Sequence, residues 1–178
     1  MNVELVCDCL PFLNVDAIGY GAKDTGEMGG GAAAAIIAAA GAEVMAAARK
    51  ELATTTRRVG VAVVTDSFKL RQAGIKWVCH IVSIMTNTPQ EDWCPYPEKL
   101  YDGVSTGLAQ IRAAGARPIA LSALATGEGR VKLADAARYM LTAIRDFQTG
   151  PEGRSLRVVL SLPTWDDYQP FEACYLRL

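Results

Sequence analysis

The sequence predicts an α/β fold in three layers, with a mixed, mostly parallel sheet between two layers of helices. Three observations predict it. Short apolar runs alternate with longer helical periods through the second half of the chain. Some runs, such as Ile119–Leu124, are apolar but for one serine, as strands covered on both faces are. The length, 178 residues, fits one domain with a core of its own, and the expected bounds are 1–178.

Each element follows from its local pattern. Val3–Cys7 and Val15–Ile18 are short strand-forming runs, separated by a turn that contains Pro11. Lys23–Gly31 is rich in glycine and polar residues and is expected to be loop. Ala32 to about Leu52 is read as one helix, driven by its alanines and ended near Thr54–Thr56. Val61–Thr65 and Ile75–Ile84 are strands joined by a polar link ending in Ala73-Gly74, a hairpin-like connection. Thr86–Pro97 carries three prolines and is loop. Glu98–Ala114 places Leu100, Val104, Leu108 and Ile111 at helical spacing, and Gly115 ends it. Pro118–Leu124 is a strand, Ala125–Arg130 a second glycine-containing loop, and Leu133–Phe147 a helix. Gly150–Arg154 is a turn, Leu156–Leu162 the last strand, and Thr164 or Asp166 opens a short final helix.

Composition excludes several functions. Hydrophobic residues make up 51% and the formal net charge is -1. Non-specific nucleic-acid binding runs on clustered Lys and Arg, and the pair Arg57–Arg58 is too short for it. Cys7, Cys9, Cys79, Cys94 and Cys174 are odd in number and scattered, so they form neither a disulfide framework nor a zinc pattern. They read as reduced, mostly buried thiols of a cytoplasmic protein, with no metal and no cofactor expected. No basic-then-apolar leader opens the chain, and Glu43 interrupts the alanine-rich stretch, so no membrane span is expected.

Two loops carry the functional argument. In a sheet of this kind, ligands bind where strands end and helices begin. Gly29, Gly30 and Gly31 precede the alanine-rich helix. Glycines let a ligand approach the backbone, and the unpaired N–H groups of the helix start carry partial positive charge. Together these make a phosphate cradle without a basic side chain. The second loop offers Ala125, Thr126, Gly127, Glu128, Gly129 and Arg130, with backbone donors, a hydroxyl and a guanidinium. Neither loop is a Walker A sequence or a dinucleotide fingerprint.

The order of these segments resembles the macrodomain family over most of the chain, from about Val3 to Leu178. Val15-Asp16-Ala17-Ile18-Gly19-Tyr20-Gly21-Ala22-Lys23 is similar to the family's Val-Asp-Ala-Ile-Val-Asn-Ala-Ala-Asn. Gly29 to Ile36 is similar to its Gly-Gly-Gly-Val-Asp-x-Ala-Ile. Trp77 to Val82 matches Tyr-Val-Ile-His-x-Val, and Ala123-Leu124-Ala125-Thr126-Gly127 matches Ala-Ile-Ser-Thr-Gly. The resemblance implies binding of ADP-ribose or a related adenine nucleotide, free or on an ADP-ribosylated protein. It implies that Asp8, with Cys9 beside it, accepts a hydrogen bond from the adenine amino group. It implies that Gly29 to Ala34 and Ala125 to Arg130 wrap the phosphates and the distal ribose from two sides.

The chain departs from the family where hydrolytic members place their chemistry. Lys23 replaces an Asn, Ala33 replaces an Asp, and Gly129 or Arg130 stands where an aromatic residue lies against the distal ribose. Alanine neither orients water nor accepts a proton. The expectation is a binding module without the usual hydrolysis. The alternatives are a hydrolase rebuilt on Asp24, Glu27 or Glu128, and a scaffold kept for protein contacts. As loop acids, these three read first as solvated surface charges. His80 reads as a satisfied core residue, Tyr20 as a packed tyrosine, Trp77 and Trp165 as packing residues, and Trp93 as a candidate for the pocket rim.

Overall fold

The structure is a computed structural model that describes residues 1–56, 58–87, 89, 94 and 96–178. The expectations placed on Arg57, Trp93 and Pro95 fall outside the described residues. Among the described residues, six strands form one sheet: β1 (Val3–Val6), β2 (Ala17–Lys23), β3 (Ala62–Asp66), β4 (Trp77–Ile84), β5 (Ile119–Ser122) and β6 (Val158–Ser161). Their spatial order is β1-β6-β5-β2-β4-β3. All neighbours run parallel except β3, which pairs antiparallel with β4. Among the described residues, five α-helices cover the sheet: α1 (Gly31–Ala40), α2 (Glu43–Ala53), α3 (Lys99–Ala113), α4 (Leu133–Thr149) and α5 (Trp165–Tyr175).

Alternation along the strands builds the three layers. Ile119 and Leu121 of β5, and Val158 and Leu160 of β6, pack with α3, α4 and α5. Ala120 and Val159, one residue out of phase, pack on the opposite face with Ile36 and Val44 of α1 and α2. Two helical glycines bring α3 close to the sheet. A Cβ on Gly103 would stand 2.8 Å from Ile81 Cγ2, and one on Gly107 would stand 2.9 Å from Ile81 Cδ1.

The structure corrects several expectations. The alanine-rich stretch is two helices, bent by 119° between Ala40 and Glu43. Gly41 ends α1 with φ +96°, a conformation that stops a helix, and its N–H bonds the carbonyl of Ile37. No single helix among the described residues is long and apolar enough to cross a membrane. The strand β2 runs on to Lys23, so Lys23 lies at a strand end and not in the loop. Gly19 and Gly21 hid that strand, because glycine is a poor strand former. Here they are required: a Cβ on Gly19 would meet Leu121 Cδ2 at 2.6 Å, and one on Gly21 would meet Ser83 Oγ at 2.6 Å. A 3₁₀ segment, Phe68–Ala73, connects β3 to β4. The cysteines are not mostly buried: Cys79 and Cys94 are, but Cys7 is exposed and Cys9 and Cys174 are partly so. Trp165 is 59% exposed and stacks on Tyr168 at the surface.

Candidate functional site

Among the described helices α1 to α5, α1 alone has no acid in its first turn, and that locates the site. Thr164 caps α5, its hydroxyl accepting from the Asp167 N–H while the Asp167 carboxylate accepts from the Thr164 N–H and hydroxyl. No side chain caps α1, and no acid stands in its first turn. Its first helical bond runs from the Ala34 N–H to the Gly30 carbonyl. The amides of Gly31, Ala32 and Ala33 therefore lie ahead of the intrahelical ladder, at the positive end of the helix dipole.

These amides open on a cavity of about 300 Å³. Its floor is the carboxyl edge of the sheet: Lys23, Ile84, Ser122 and Ser161, each the last residue of its strand, stand on the wall. From β2 the chain crosses toward β4 and β3, and from β5 it crosses the other way, to β6. The gap between β2 and β5 is thus the switch point at which sheets of this type form a crevice. Gly29, Gly30, Gly31, Ala32 and Ala33 line one side. Ala125, Thr126, Gly127 and Glu128 line the other, and Cys9 closes an end.

The remaining expected site residues are placed elsewhere. Ala34 is exposed on α1, Arg130 is exposed, and neither is on the wall. Gly129 is turned into its own loop, where a Cβ would stand 2.6 Å from the Ala125 carbonyl oxygen. Asp8 is exposed beside the wall residue Cys9, and its carbonyl accepts a hydrogen bond from Ser161 Oγ at 2.6 Å. Asp24 is no surface charge: it is 3% exposed, and its carboxylate accepts from the Thr86 N–H and hydroxyl at 3.0 and 2.8 Å. That engagement takes it out of the cavity.

The wall also holds residues that the sequence reading did not single out as site residues: Leu10, Pro11, Gly21, Ser122, Ser161, Pro163 and Asp167. Ser122 and Ser161 had a usable signal, since each is a polar residue at the end of an apolar strand. Gly21 depends on a tertiary feature. The pairing of β2 with β4 slips after Ala22, and Ser83 lies at that irregularity with its hydroxyl behind Gly21. Among the described residues, three carboxylates, Glu27, Glu128 and Asp167, and one ammonium, Lys23, line the cavity. Glu27 is held by Arg49 at 2.6 Å, and Lys23 Nζ stands 2.7 Å from Glu128 Oε2. A second cavity, of about 540 Å³, lies between Arg58–Gly60 and the first turns of α3, and takes no residue from either glycine loop.

Comparison with known proteins agrees with this architecture. No curated protein sequence matches the chain. Solved structures do. The Oceanobacillus iheyensis macrodomain with MES bound superposes with a TM-score of 0.81 at 22% identity, over 98% of this chain and 90% of that one. The same macrodomain with ADP gives identical values. The Trypanosoma brucei macrodomain in complex with ADP-ribose superposes with a TM-score of 0.78 at 23% identity, over 98% of this chain and 69% of that one. At such identities the likeness is one of fold. The family model described as Macro domain matches residues 21–140, from the end of β2 through the first half of α4, and so takes in both glycine loops that line the cavity. With sheet order, crevice and sequence pattern in agreement, the chain belongs to the Macro domain family.

Proposed function

We propose that the cavity binds ADP-ribose or a closely related adenine nucleotide diphosphate, free or carried on a protein, and does so without the hydrolysis of the hydrolytic family members. The observation that carries this reading is the uncapped start of α1 opening on a cavity at the switch point of the sheet. Backbone amides of Gly31 to Ala33 meet a diphosphate from one side, and the 125–128 loop meets it from the other. The cavity is at the lower end of the range for small-molecule sites. The solved macrodomains with ADP and with ADP-ribose support the choice of ligand class.

The non-hydrolytic part rests on side chains. Ala33 has no group to hold or activate water, Asp24 is engaged by Thr86, and Lys23 is paired with Glu128. Isothermal titration with ADP-ribose, ADP, AMP and NAD tests the binding. Heat is expected with ADP-ribose and ADP, and Gly30→Glu should abolish it by filling the cradle. No heat and no thermal shift with any of the four would overturn the reading.

A further inference from the structure

Lys23, on the floor of the cavity, and Glu128, on its 125–128 side, reach each other. Lys23 ends β2, and Glu128 stands in the loop between β5 and α4. While Oε2 faces Lys23 Nζ, Oε1 lies 2.8 Å from the place a Cβ on Gly30 would take. The carboxylate therefore sits over Gly30, at the uncapped start of α1. It occupies ground where the helix dipole and the ammonium both favour an anion. The two other acids on the wall are committed elsewhere, Glu27 to Arg49 and Asp167 to Thr164.

We infer that Glu128 is an internal anion that competes with the ligand for the phosphate cradle, and so sets the affinity and charge selectivity of the site. This rests on the reading of the cavity as a diphosphate site. An incoming diphosphate replaces the carboxylate over Gly30 and takes up the Lys23 ammonium. The loop allows the exchange by a side-chain rotation alone. Its backbone is fixed by bonds from the Arg130 N–H to the Gly127 carbonyl and from the Val131 N–H to the Ala125 carbonyl, both 3.0 Å. The Glu128 side chain is 37% exposed, so it has water to turn into. A diphosphate gains the cradle and Lys23 together, whereas a ligand without phosphates has no means to displace Glu128 and is indifferent to its charge.

The test is titration of ADP-ribose, inorganic pyrophosphate and adenosine into the wild-type chain, Glu128→Gln and Lys23→Met, with circular dichroism to check that each variant folds. Glu128→Gln keeps the shape of the side chain and removes its charge. It should tighten ADP-ribose and pyrophosphate about three- to tenfold, and leave adenosine unchanged. Lys23→Met should weaken ADP-ribose. Binding of ADP-ribose to Glu128→Gln alone, with none to wild type, would also support the inference. Wild-type binding that Glu128→Gln leaves equal or weaker would overturn it while the nucleotide reading stands. No binding to either would overturn both.

Discussion

His80, the single histidine of the chain, is buried without losing a hydrogen bond. Its Nδ1 lies 2.8 Å from the Tyr20 hydroxyl and its Nε2 lies 2.9 Å from Thr65 Oγ1. The Thr65 hydroxyl donates its one proton to the Asp66 carbonyl. It must therefore accept from His80, which puts the ring proton on Nε2 and makes Tyr20 the donor to Nδ1. Burial pushes the His80 pKa down from 6.5 to about 3. The folded chain thus excludes a proton that the unfolded chain takes up below about pH 6.5. The stability from this group is whole above that pH and is lost as pH falls toward 3, by at most about 1.4 kcal/mol per pH unit. We expect the imidazole ¹⁵N shifts at pH 5 to report a neutral ring protonated on Nε2. We also expect His80→Gln to flatten the fall in urea stability between pH 6.5 and 4; a protonated ring at pH 5 would contradict this. The sequence made His80 legible as a core residue because its strand is apolar. It did not show the fate of Asp24, whose burial depends on Thr86, 62 positions away, nor the exposure of Trp165.

At the scale of the element, the junction of α1 and α2 shows what sequence periodicity misses. Alanine favours helix on both sides of Gly41, so local propensity predicts one rod. The break comes from the positive φ of Gly41, with Ile36 and Val44 then packed into one core on the same face of the sheet. Gly41→Ala should cost about 1–2 kcal/mol in urea denaturation, since a Cβ is strained at that φ. Gly29→Ala is the control: a Cβ there meets nothing within 4 Å, and its cost should stay within about 0.5 kcal/mol. Equal losses would mean that backbone conformation does not set the bend. Helices α3 and α4 were legible to within a few residues, because their apolar positions repeat cleanly, and α5 was legible only at its start. The strands β5 and β6 came out shorter than their apolar runs, since flanking residues such as Leu124 and Leu156 are buried without pairing in the sheet.

For the molecule as a whole, the alternation of strands and helices was enough to predict three layers, and the two glycine loops were enough to predict the crevice between them. Asp167 of α5 was out of reach, because it joins the wall only through tertiary packing. That assembled wall leads to a prediction on catalysis. With Ala33 lacking a functional group and Asp24 held away, we expect a glutamate-ADP-ribosylated protein incubated with the purified chain to release ADP-ribose no faster than a no-protein control. Turnover above control that Glu128→Gln or Glu27→Gln abolishes would show a rebuilt hydrolase instead.

The sheet joins its first strand to its last. Val3–Val6 pair with Val158–Ser161, and Glu4 and Arg157 form an ion pair at 2.6 Å beside that seam. Contacts between residues so far apart in sequence close a very large loop, which slows the search for the native register. During synthesis β1 emerges early, yet its neighbour β6 leaves the ribosome only after α4 is complete. For that interval the nascent chain exposes the edge of β5 that β6 will cover, and β1 has nothing to pair with. Both are open to pairing with other chains while they wait.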